Sequence, residues 1–194
     1  KPIVPYWILA LMVAMTISAV IAMVRRRSRP SRVASKIYGL IVTAARRPAL
    51  YAHAGVADTP EGRFEAITLY TVLVLERLLR EGAAGAGLAR ALVEALITDM
   101  DDQMREMGVG DQSVPKKVQK AAAAVYDRLA AYRPALAAGD AGALDELFNN
   151  AGLLPKSNVH STTATAVHTT LAAHALAVRT ALDATESRAL LDGA

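Results

Sequence analysis

Five charged residues within eight positions give the densest chemistry in the chain: Asp99, Asp101, Asp102, Arg105 and Glu106. On a helix Asp99, Asp102 and Glu106 fall three and four residues apart, share one face and can act together. Carboxylates so spaced could hold a divalent cation, but a ferritin-like cage also needs Glu-x-x-His pairs on facing helices. No histidine lies in this stretch. The group therefore reads as a solvated or partner-binding face, with Asp101 and Asp102 placed to pair with Arg105.

The histidines add little. On one continuous helix His160 and His168 would be about 80° apart around the axis, and His168 and His174 about 120°. His160 and His174 come nearer to alignment but stand roughly 21 Å apart along it. They form no site by themselves, and an axial ligand to a haem held elsewhere is the alternative reading. His53 falls in a loop with no specific signal. There is no cysteine, which excludes disulfides, thiolate metal sites and cysteine nucleophiles. The glycines from Gly82 to Gly87 and at Gly108 and Gly110 follow no strand and have no partnering lysine and hydroxyl, so both phosphate-loop patterns fail. No serine sits in a nucleophile elbow. No catalytic residue, metal site or cofactor is expected, and no small-molecule substrate.

Helical periodicity must position these residues. Ile37, Leu40, Ile41 and Ala44 predict a short helix over 36–46 with one buried face, stopped by Pro48. Residues 51–60 read as a loop. Thr59-Pro60 is a helix start, an N-cap hydroxyl followed by proline at the first helical position, with Glu61 and Glu65 suited to the same end. Phe64, Ile67, Thr71, Leu75 and Leu78 carry that helix over 60–81, and Gly82 to Gly87 break it. Leu88, Leu92, Leu96, Met100, Met104 and Met107 recur at helical steps up to Gly108. Val118, Ala122, Val125, Leu129 and Tyr132 line a further helix that ends at Pro134. A short helix is expected over 141–150. A long Ala/Thr-rich one is expected over 158–190, packing on the body or on a partner. No strand-like alternation appears. The fold class is all-α, a helical bundle body with one N-terminal transmembrane helix.

That last helix rests on Ile3 to Val24, 22 positions without a charge. At about 1.5 Å per residue they span roughly 33 Å, enough for a bilayer core. Tyr6 and Trp7 sit at one end, as interfacial aromatics do. Arg25, Arg26, Arg27, Arg29 and Arg32 follow, within a linker over 25–35, and can lie against anionic headgroups. Positive flanks stay inside, so the chain reads as a single-pass protein of a bacterial inner membrane, with its N-terminus outside and its body cytoplasmic. A cleaved signal peptide would place its charge before the apolar run and carry a shorter core. Residues 1–36 hold seven basic residues and no acidic one, which leaves 15 basic against 18 acidic in the rest. A slightly acidic body has no basic face for a nucleic acid. Membrane lipids are expected partners.

Two runs are more specific. Ala45-Arg46-Arg47-Pro48, Tyr51 and Gly55-Val56-Ala57-Asp58-Thr59-Pro60-Glu61-Gly62-Arg63-Phe64-Glu65 form the first. Asp99-Met100-Asp101-Asp102-Gln103-Met104-Arg105-Glu106-Met107-Gly108-Val109-Gly110-Asp111 form the second, continued by Val114, Lys116, Lys117, Val118, Lys120, Tyr126, Arg128, Ala131 and Tyr132. Over roughly 36–150 the chain resembles the ubiquinol–cytochrome c chaperone family. The anchor and the Ala/Thr/His tail over 151–194 depart from that pattern. The resemblance implies an all-helical, non-enzymatic factor that helps assemble cytochrome b into respiratory complex III. The anchor adds the option of an accessory subunit retained on the finished complex. Arg46, Asp58, Arg63, Asp99, Asp101, Asp102, Arg105, Glu106 and Asp111 would then touch cytochrome b or other complex III subunits, or hold the body rigid. A membrane scaffold unrelated to respiration is the competing reading.

Overall fold

The structure is a computed structural model that describes residues 31–106, 108, 114–154, 162–186 and 189. The expected span Ile3–Val24 and Arg25, Arg26, Arg27 and Arg29 lie outside the described residues, as do Met107, Asp111 and His160. Among the described residues there are seven helices and no strand: α1 Arg32–Ala45, α2 Pro48–Ala52, α3 Pro60–Arg80, α4 Ala83–Glu106, α5 Val114–Ala138, α6 Ala141–Ala151 and α7 Thr162–Ala184. No helix among them is long and apolar enough to cross a membrane.

Helix α3 is the axis of the bundle. Its start is as expected: Thr59 Oγ1 accepts from the Gly62 N–H at 3.0 Å, and Pro60 occupies the first turn. From Thr68 to Leu78 every residue is buried. The single stripe expected from periodicity is therefore too narrow. Helices α1, α4, α5 and α7 all pack against α3, and a helix surrounded by neighbours is buried around its circumference, which here takes in Glu76 and Arg77 as well. Leu73, Leu75 and Leu78 are each at most 2% exposed, and burying such a side chain stabilises the fold by about 1.5–3 kcal/mol.

Other boundaries differ from the expectation for local reasons. Helix α1 starts at Arg32, because Ser31 Oγ accepts from the Ala34 N–H at 3.1 Å, so the end of the expected linker is helical. It packs through Ala34, Ile37, Tyr38, Ile41 and Ala45. Leu40, expected on that face, is 56% exposed, since it lies about 100° around the axis from Ile41. Pro48 opens the short α2 instead of merely ending α1.

Only Gly82, at φ +62°, breaks the chain between α3 and α4. Gly85 lies inside α4, where a Cβ would stand 1.9 Å from the Leu78 carbonyl oxygen, so the two helices touch backbone to backbone. Pro134 does not end α5, which continues to Ala138 with Ala135 and Leu136 buried beyond it.

Helix α6 is capped by Asp140, and Gly152 at φ +77° turns the chain out of it. The Leu153 carbonyl then accepts from the Ala57 N–H at 3.0 Å, tying that turn to the loop before α3. Helix α7 packs on α3 and α6, and Leu171, Ala172 and Ala175 are buried in the common core.

Candidate functional site

The C-terminal end of α1, helix α2, the first turns of α3 and the second half of α4 enclose a groove of about 1140 Å³. Its floor and walls are apolar, with Phe64, Ile67, Leu96, Met100 and Met104 beside Pro48 and Pro60. Phe64, Ile67, Met100 and Met104 are half-buried, and Ile67, Met100 and Met104 touch the core on one side and open to the groove on the other. Methionine suits such a wall, because an unbranched thioether adapts to the shape it meets.

Four of the residues chosen from sequence converge on this groove: Arg46, Asp58, Arg63 and Asp99. Asp58 and Arg63 pair at 2.7 Å on the rim, with both side chains more than 60% exposed. A pair so solvated contributes little stability, which leaves its charges available to a partner. Asp99 is held differently. Its Oδ2 accepts from the Tyr38 hydroxyl at 2.8 Å and also from Gln103. Burial, then this hydrogen bond and the Asp99 charge, raise the Tyr38 phenol well above its ordinary pKa. Tyr38 therefore stays a neutral donor and fixes the carboxylate at the wall. Tyr51, also lining the groove, donates to the Ala45 carbonyl at 2.8 Å and holds α2 against the end of α1.

Asp101, Asp102, Arg105 and Glu106 do not line the groove, although they share helix α4 with Asp99. Asp101 accepts from Arg105 Nε at 2.8 Å, as the spacing predicts, and Asp102 and Glu106 are exposed. Asp111 lies outside the described residues. Arg32 is exposed at the start of α1. Among the described residues no three His, Asp or Glu side chains are grouped to hold a metal.

Sequence reasoning missed the polar contacts between distant helices. Arg128 grips Glu65 with two bonds of 3.1 Å. The Tyr70 hydroxyl meets His174 Nε2 at 2.7 Å, with the rings edge to face, so the ring nitrogen that could have served a haem is engaged by a tyrosine. Arg77 donates to the carbonyls of Leu182 at 3.1 Å and Thr185 at 3.3 Å, and Arg80 pairs with Asp183. These bonds fasten the C-terminal helix to α3. Glu65 and Arg128 both stand in the motif runs, but nothing in local spacing pairs residues 63 positions apart.

The profile of the ubiquinol–cytochrome c chaperones matches residues 52–194, nearly three quarters of the chain. The chain belongs to the ubiquinol–cytochrome c chaperone family. The match runs on to residue 194, past the 36–150 over which the motif runs were read. The crystal structure of the Cbp3 homolog from Brucella abortus is similar, with a TM-score of 0.70 and 34% identity, over 87% of this chain and 90% of that one. No curated protein matches significantly. Membership in a family of ubiquinol–cytochrome c chaperones places the chain among non-enzymatic assembly factors, and the all-helical fold agrees.

Proposed function

We propose that this chain is an assembly chaperone of ubiquinol–cytochrome c reductase that receives cytochrome b through the groove between α1, α2, α3 and α4. The observation that carries the reading is the pairing of an adaptable apolar floor with a charged rim. Phe64, Ile67, Met100 and Met104 offer apolar contact, while Arg46, Asp58, Arg63 and Asp99 ring it with both signs of charge. A newly made polytopic membrane protein presents just such surfaces, apolar segments ending in charged loops. Asp102, Arg105 and Glu106, exposed further along α4, and the half-buried Asp101 would meet the same partner outside the groove, and Asp111 is assigned to that contact from the sequence alone.

The uncharged run Ile3–Val24 supports an anchor in the bacterial inner membrane, and Arg25, Arg26, Arg27, Arg29 and Arg32 support a cytoplasmic body. A tether raises the effective concentration of the groove beside its client without any new contact. The same anchor would suit an accessory subunit that stays on the finished complex.

The test is purification of a tagged full-length chain from native membranes in mild detergent. Cytochrome b in the eluate, depleted of the later subunits, is expected for a chaperone. Stoichiometric recovery with active complex III would make the chain a subunit. Absence of every complex III component would contradict both.

A further inference from the structure

We propose that the outward face of α1 is a docking surface for an anionic lipid bilayer, which lays the helical body down against the membrane beside its anchor. Arg32, Lys36, Leu40 and Thr43 fall within about 80° of arc on α1, opposite the buried Ala34, Ile37, Ile41 and Ala45. Leu40 is the large hydrophobic side chain that stands exposed, at 56%, among the described residues. Nothing in the packing of α1 against α3 and α4 requires a leucine there.

Along the segment that carries this face the charge has one sign. Residues 31–57 contain Arg32, Lys36, Arg46 and Arg47 and no acidic residue, whereas the chain beyond residue 36 carries more acidic than basic groups. A helix face with two basic residues and an apolar one a turn beyond them suits the headgroup boundary. Long basic stems lie along the surface there with their charges among lipid phosphates, while the leucine enters the acyl edge. Each basic residue near an anionic surface is worth roughly a fivefold preference. One leucine and two charges on the helix itself would bind a bilayer weakly from solution.

The inference rests on the anchored reading, which supplies the missing affinity. Helix α1 begins eight residues after Val24, so even a fully extended link holds Arg32 within about 28 Å of the end of the apolar run. At that distance weak docking becomes effectively intramolecular. An acidic protein partner is the rival occupant. The bilayer is favoured because the tether already holds this face beside it, and because Gly39, next to Leu40, has open space around it rather than a pocket.

The chain has no cysteine, so Leu40→Cys on the full-length protein accepts one environment-sensitive fluorophore. Ala130→Cys, exposed on α5, is the control. Both are reconstituted with vesicles of phosphatidylcholine alone and of phosphatidylcholine mixed equally with phosphatidylglycerol.

At low salt the label at position 40 should shift to the blue and be quenched by spin-labelled lipid only in the anionic vesicles, while the label at position 130 stays solvated. Replacing Arg32 and Lys36 together by glutamine should lower the docked-to-free ratio roughly thirtyfold. Equal solvation of both labels in both lipids, in protein that floats with the vesicles, overturns the inference and leaves the anchor intact. So does a spectral change at position 40 that needs added complex III protein. Flotation with anionic vesicles alone and release by carbonate, with the label at position 40 still quenched, would overturn the anchor and retain the face.

Discussion

Arg128 on α5 donates from Nε and Nη2 to the two carboxylate oxygens of Glu65 on α3, at 3.1 Å each. Glu65 is buried and Arg128 is about three-quarters covered, so the pair is a strut between two helices. Burial opposes the charge on Arg128, but the hydrogen bonds to Glu65 outweigh it and hold the guanidinium pKa above its ordinary value.

Arg128→Met removes both bonds and leaves a buried carboxylate facing apolar surface. A loss of about 2–3 kcal/mol is expected. Glu65→Gln combined with Arg128→Met should lose less than the sum of the single changes, because the stranded charge is gone. Urea unfolding followed by circular dichroism reads both, and strict additivity would show that the two residues do not act as a pair.

Two glycines on neighbouring helices should respond with opposite signs. At Gly62 an added Cβ would stand 2.1 Å from the Ala57 carbonyl oxygen, so Gly62→Ala must push the 53–59 loop away from α3, at about 2–3 kcal/mol. That loop carries Asp58 of the groove rim. At Gly39, in the middle of α1, nothing lies within 4 Å, so Gly39→Ala should stabilise by about 0.5–1 kcal/mol through helix propensity. Thermal melting of the two variants beside the unaltered protein gives the comparison, and equal shifts would contradict the packing around Gly62.

Burial, helped by the charge of Arg47, holds the His174 imidazole below its ordinary pKa of 6.5. As the pH falls through 6.5 the unfolded chain binds a proton that the folded chain resists, so this site loses stability on acidification until its own lower pKa is passed. His174→Gln removes that dependence. Relative to this variant, the unaltered protein should lose melting temperature between about pH 7.5 and 5.5. Parallel curves over that range would show that His174 does not titrate differently on folding.

Elements whose signals lie within a few residues were legible. The Thr59-Pro60 start of α3, the Leu88–Leu92–Leu96 ridge of α4 and the Val118–Tyr132 face of α5 all stand where periodicity put them. Failures came from tertiary packing. Proline at 134 would break an isolated helix, but Ala135 and Leu136 are anchored in the core on its far side. Leu40 reads as core from its spacing, but it lies about 100° around the axis from Ile41, and the crossing of α1 over α3 and α4 leaves that edge of the face outside. For the site, the acidic run on α4 was visible, but its division was not. Asp99 turns to Tyr38 and into the groove, while Asp101 pairs with Arg105 outside it. Pairs such as Glu65 with Arg128 and Tyr70 with His174 leave no mark on local spacing.

The groove floor is open to a direct change. Met104 is half-buried, so Met104→Glu places a charge in the groove at modest cost to the fold. Recovery of cytochrome b with the tagged chain should drop at least tenfold, as expected when about 1.4 kcal/mol or more of binding is lost. The circular dichroism spectrum should be retained. Undiminished recovery would move the client's binding surface elsewhere.

The most direct measurement places a photo-crosslinking amino acid at Met104, with a second variant carrying it at the exposed Glu146 on α6, in cells synthesising labelled cytochrome b. The expected result is a short-lived crosslink from position 104 to newly made cytochrome b, fading as complex III matures, and none from position 146. No crosslink from position 104, in cells that still assemble complex III with the variant chain, would contradict the groove as the site that receives the client.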